Sequence, residues 1–189
     1  LVHDMGLTPL SLGRVTRRMH EIETYRMMAL LAFPLAQDLQ KRLGPLEKSL
    51  ADMVESMLSA QSTQEDAMLL AGLSTTARDV EEISNRCSFR FAATRAYSAL
   101  VAKRVAELGE ERVDHCQRIG VFLDRRFSPA MTTCLAVAER IADLARRGER
   151  ASNLLRTRVD IALEGQNQLL LRSMEKRARQ QLMLQETVE

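Results

Sequence analysis

The strongest constraint on this chain is a set of apolar residues repeating at alternating steps of four and three. Leu39, Leu43, Leu46, Leu50, Met53 and Met57 form one such seam, and that spacing places one stripe along an α-helix facing a partner helix. A second seam runs through Leu69, Leu73, Thr76, Val80, Ile83 and Cys87. A third, rich in small residues, runs through Ala102, Ala106, Gly109, Val113, Cys116, Gly120, Leu123 and Phe127. The last passes through Ile141, Leu144, Gly148, Ala151, Leu155, Val159, Ala162, Gln166, Leu170, Met174, Ala178 and Leu182. It averages about 3.7 residues per step, which predicts a straight or slightly right-handed helix instead of a left-handed coil. Only eight Gly and four Pro interrupt 189 residues.

Helix boundaries follow from the caps. Thr8–Pro9 is a helix start, a hydroxyl cap followed by a Pro whose missing N–H costs nothing at the first position. The first helix is expected over about 9–58, kinked at Pro34 and again at Pro45, where the seam passes through Gly44–Pro45 in phase. The competing reading makes Gly44–Pro45 a true turn between two shorter helices. The polar stretch 59–66 breaks the pattern, and Ser62 with Glu65 is a capping box. A second helix is expected over 63–127, with Gly109 and Gly120 as packing positions. Ser128–Pro129 is the next break, and a third helix of about 60 residues, roughly 90 Å long, spans 129–187. Short connections make neighbours antiparallel. The fold class predicted is all-α, an elongated antiparallel three-helix bundle over 9–189 preceded by a tail at 1–8.

Composition excludes several functions. Lys and Arg number 27 against 25 Asp and Glu, a net charge of +2, and aromatic residues make up 4%. A nucleic-acid surface shows a basic excess with aromatics for base stacking, so nucleic acid is not an expected partner. Cys87, Cys116 and Cys134 are an odd number with no CxxC pair, which argues against a disulfide framework or zinc site. The apolar run Met27–Ala36 is far shorter than the about 20 residues of a bilayer span. Met27–Phe33 is either a buried centre of the bundle or a partner surface. Leu1 is not an initiator, and the helical pattern continues to the last residue, so both ends read as cut.

No catalytic constellation emerges. His3, His20 and His115 are scattered, and His115 beside Cys116 points about 100° away from it on a helix; the plain reading is a partly exposed histidine next to a core cysteine. No glycine-rich phosphate loop and no Glu-x-x-His di-iron pattern occurs. The chain is expected not to be an enzyme, with no metal and no cofactor. Two polar clusters stand out: Arg86, Arg90 and Arg95, interleaved with Phe89, Phe91 and Tyr97, and the column Arg156, Asp160, Glu164 with Arg158 and Asn167 nearby. Inter-helix ion pairs that fix register are the plainer reading of both, an anion site the sharper one. Arg172, Lys176, Arg177 and Arg179 form a basic cluster suited to anionic lipid headgroups or simply to solvent.

The strings HEIETYRMMALLAFPLA (20–36), RCSFRFAATRAYSALV (86–101), FLDRRFSPAMTTC (122–134), NLLRTRVDIALEGQNQLLLRSM (153–174) and QLMLQETVE (181–189) resemble, in order, a bacterial family of uncharacterised membrane-anchored proteins, a domain-of-unknown-function family. The resemblance implies an α/β region before Leu1 and a hydrophobic anchor after Glu189. It implies no catalytic residue. It places the chain on the cytoplasmic side of the inner membrane, with the basic cluster near the bilayer. The expected function is a non-enzymatic membrane-anchored scaffold or interaction domain with protein partners or self-association. The alternative is the cytoplasmic stalk of a CorA-like ion transport protein, an analogy of outline alone, which would require a closed ring of copies.

Overall fold

The structure, a computed structural model, describes residues 6–60 and 62–186, with side chains as far as residue 180. His3 and Leu182, and most of the tail predicted at 1–8, lie outside the described side chains. Five α-helices make up the described chain: α1 (Pro9–Leu30), α2 (Phe33–Ser59), α3 (Thr63–Ala106), α4 (Ile119–Arg126) and α5 (Ser128–Glu186). No strand occurs among the described residues, so the fold is all-α. The chain divides into two compact units, Leu1–Glu47 with Asp79–Ala145, and Lys48–Arg78 with Arg146–Glu189.

In the first unit, α1 and α3 run antiparallel. Moving up α1, Arg18, Glu21, Tyr25 and Ala29 meet Glu107, Arg104, Tyr97 and Thr94 in descending order. The core holds Ala29, Leu39 and Leu43 with Ile83, Cys87, Phe91, Cys134, Val137 and Ile141. Each fully buried leucine or phenylalanine of this kind contributes about 1.5–3 kcal/mol of transfer free energy. The Met27–Phe33 stretch is split by helical geometry: Ala29 and Ala32 are buried, while Met27, Met28 and Leu31 are exposed.

In the second unit, Leu50 and Met57 of α2, Leu73 and Thr76 of α3, and Ala151 and Leu155 of α5 form the core. Gly72 lets α2 and α3 approach closely; a Cβ there would stand 3.1 Å from the Met53 sulfur. The Ser62 capping box forms in both directions: Glu65 N donates to Ser62 Oγ at 3.2 Å, and Ser62 N donates to the Glu65 carboxylate at 3.3 Å.

Four expectations are corrected. The helix expected over 9–58 is two helices: α1 ends at Leu30 and α2 begins at Phe33. Pro34 therefore sits in a first turn, where its missing N–H is free of cost, instead of kinking a helix interior. Pro45 does lie inside continuous α2. The helix expected over 63–127 stops at Ala106, because Gly109 takes a left-handed φ of 62° and the last turn tightens through Leu108 N to Val105 O and Gly109 N to Ala106 O. Residues 107–118 are irregular, so Gly109, Val113 and Cys116 are not seam positions. The Ser128–Pro129 break is a single residue, Phe127, with α-helical dihedrals between α4 and α5. Finally, the α5 stripe is buried from Ile141 to Leu155 and exposed at Gln166, Leu170, Met174 and Ala178.

Candidate functional site: polar clusters and the exposed end of the long helix

The sequence-predicted clusters are surface features. Arg86, Arg90 and Arg95 are all exposed on α3, and Arg86 pairs only loosely with Glu82 of its own helix, at 3.9 Å. Arg156, Asp160 and Glu164 are exposed on α5. None of the six makes an inter-helix ion pair among the described residues. His115, in a left-handed conformation at φ 67°, and Cys116 lie in the irregular 107–118 segment, both exposed. Cys116 is thus not a core cysteine, because the helix meant to bury it ends earlier. Cys87 and Cys134 are buried, and desolvation pushes both thiols above their ordinary pKa.

Other residues carry the inter-helix charge. Arg140 of α5 forks onto the Glu47 carboxylate of α2 with N···O distances of 2.9 and 2.7 Å, and this partner raises its pKa. Arg104 donates to the Glu107 carboxylate at 2.7 Å. Its Nε also lies 2.7 Å from Glu21 Oε2, off the line of a hydrogen bond, so that contact is Coulombic. Arg18 donates to the Glu107 carbonyl at 2.7 Å and closes the C-terminus of α3. The Glu110 carboxylate accepts from the N–H groups of Ile119 and Gly120, at 2.7 and 2.9 Å, and caps α4.

In the second unit Arg158 is the organising cation. It donates to Met57 O at 2.7 Å and Ala60 O at 3.3 Å, two carbonyls that the end of α2 leaves without helical partners. Its Nε lies 3.6 Å from Asp66 Oδ2, and Asp66 is only 7% exposed. Arg158 and Asp66 line an open cavity of about 320 Å³ with Ala60, Ser62, Thr63, Ile161 and Ala162. The sequence pointed to the neighbouring exposed column instead. The signal available was Asp66 itself, an acid in the first turn of α3 on the same side as Leu69 and Leu73.

Beyond Ala162, every described side chain of α5 is exposed as far as residue 180. Leu163, Leu169, Leu170, Leu171 and Met174 are among them. Arg172, Lys176 and Arg179, spaced by four and three, form one basic ridge, and Arg177 lies at least about 100° around the helix from each of them. Among the described residues, no helix is long and apolar enough to cross a membrane, and no group of three or more His, Cys, Asp or Glu could hold a metal.

The model of the family described as "Protein of unknown function (DUF3422)" matches residues 1–189. The chain belongs to the DUF3422 family. No curated protein and no solved structure matches this DUF3422 chain.

Proposed function

We propose that this DUF3422 chain is a non-enzymatic helical scaffold working at the cytoplasmic face of a bacterial inner membrane. In this reading, Arg172, Lys176, Arg177 and Arg179 meet anionic headgroups. The observation that carries it is the run of α5 from 163 to 180, where a basic ridge and leucines share a helix whose described side chains are all exposed. A helix bearing apolar and basic side chains on a free surface suits the boundary between acyl chains and anionic headgroups.

Vesicle flotation tests the proposal. The chain should float with vesicles containing phosphatidylglycerol and not with pure phosphatidylcholine. Neutralising all four residues (R172Q, K176Q, R177Q and R179Q) should weaken binding by up to about 10³-fold, at about 1 kcal/mol per charge. Equal binding to both vesicle types, or full binding by the fourfold variant, would overturn it.

A further inference from the structure

The outer face of α3 in the first unit is a second free surface. Phe89 is 82% exposed there, on a helix whose other side is core. Glu82, Asn85, Ala92, Ala96 and Lys103 are exposed too. From Glu82 to Ala96 the steps are 3, 4, 3 and 4, and Lys103 follows one heptad later. At 100° per residue, all six therefore fall within about 80° of helix circumference. One end of this face carries a carboxylate, the other an ammonium, and between them a bulky ring stands beside two small residues.

We infer that this face, from Glu82 to Lys103, pairs antiparallel with the same face of a second copy of the chain. A two-fold axis midway between Ala92 and Ala93 brings Phe89 opposite the partner's Ala96 and Glu82 opposite the partner's Lys103. Each pair lies symmetrically about the same point, so a single register satisfies both, and the two-fold repeats each contact. The ring of Phe89 enters the recess that alanine leaves, as a knob enters a hole. The Glu82–Arg86 contact on the free surface, at 3.9 Å, is loose enough to be exchanged for the partner's ammonium. Parallel pairing is disfavoured, because it sets Glu82 against Glu82, Lys103 against Lys103, and the two rings against each other. The face thus carries its own complement, which selects a second copy over an unrelated protein. The inference does not depend on membrane contact, since it uses residues of α3 alone.

Sedimentation equilibrium of the 189-residue chain tests it. One helix pair buries less than the about 800 Å² per partner of a standard interface, so loading should reach about 200 µM. Wild type should approach twice the monomer mass. F89A and, separately, E82K should each weaken dimerisation by about tenfold or more. The double charge swap E82K/K103E should restore it, a rescue that damage to folding cannot imitate. All four positions changed or paired are exposed, and an unchanged helical circular dichroism signal verifies that each variant is folded. A wild-type chain that stays monomeric overturns the inference. So does a dimer indifferent to F89A, or a charge swap that fails to restore the mass.

Discussion

Thr94, in the C-terminal half of α3 and 2% exposed, donates its hydroxyl to the carbonyl of Ala29, in the last turn of α1, at 3.1 Å. A carbonyl in the last turn of a helix has no partner within that helix. Ala29 is fully buried, so water cannot supply one. One hydroxyl thereby closes the end of one helix from the side of another and sets the register of the α1–α3 pair.

Replacing Thr94 with Val keeps the shape and removes the donor. The Ala29 carbonyl is left buried and unpaired, at a cost of about 1–3 kcal/mol. Urea denaturation should show that loss in the midpoint with little change in slope; a midpoint like that of wild type would mean the carbonyl finds another partner.

Arg158 and Arg156 are two residues apart and should behave differently. R158A removes the donors to Met57 O and Ala60 O and the cation nearest the buried Asp66 carboxylate. A loss of about 1.5–3 kcal/mol is expected, moderated because the guanidinium is partly solvated. R156A, on an exposed side chain, should stay within about 0.5 kcal/mol of wild type. Similar effects for both would contradict the clamp assigned to Arg158.

Two glycines placed in seams by their spacing have opposite expected responses to alanine. Gly109 holds φ at 62°, so G109A forces a side chain into the left-handed region at a cost of about 1–2 kcal/mol. Gly148 lies inside α5, and a Cβ there meets nothing within 4 Å. G148A should therefore raise stability by about 0.5–1 kcal/mol through helix propensity and a less flexible unfolded chain. Thermal midpoints moving in the same direction would refute the assignment of Gly109 as a helix stop.

Acid should destabilise the chain in a defined window. The Glu107 carboxyl is held below its ordinary pKa, first by the hydrogen bond from Arg104, and Glu23 is lowered first by the hydrogen bonds it accepts from Arg26. A carboxylate depressed in the folded state stabilises fully above its unfolded pKa, and that contribution is lost as pH falls through the folded value. The thermal midpoint should therefore drop between about pH 5 and pH 3. R104Q should flatten that drop, because Glu107 then returns toward its ordinary pKa. An equally steep acid profile in R104Q would exclude the pair as a contributor.

The periodicity of the sequence determined helix type and most of the buried face. Leu39, Leu43, Leu50 and Met57 are buried as their spacing requires, and so are Ile141, Leu144, Ala151 and Leu155. The caps at Thr8 and Ser62 were equally legible, because each uses partners within one turn: Ser11 N donates to Thr8 Oγ1 at 3.3 Å, and Ser62 exchanges bonds with Glu65. These are local rules, and a sequence states them directly.

Tertiary structure decided the rest. A seam position at Leu170 or Met174 is buried only where another helix reaches it, and nothing in the period says where the neighbours stop. Gly109 fitted the packing pattern by its spacing, yet its left-handed φ makes it a helix stop. The charge clusters misled for the same reason. Arg156, Asp160 and Glu164 sit one turn apart yet face solvent, while Arg140 finds Glu47 and Arg158 finds Asp66 across long stretches of chain. Ion pairing depends on which helix faces lie together, and that is fixed by the packing of whole helices, not by the spacing of charges along one.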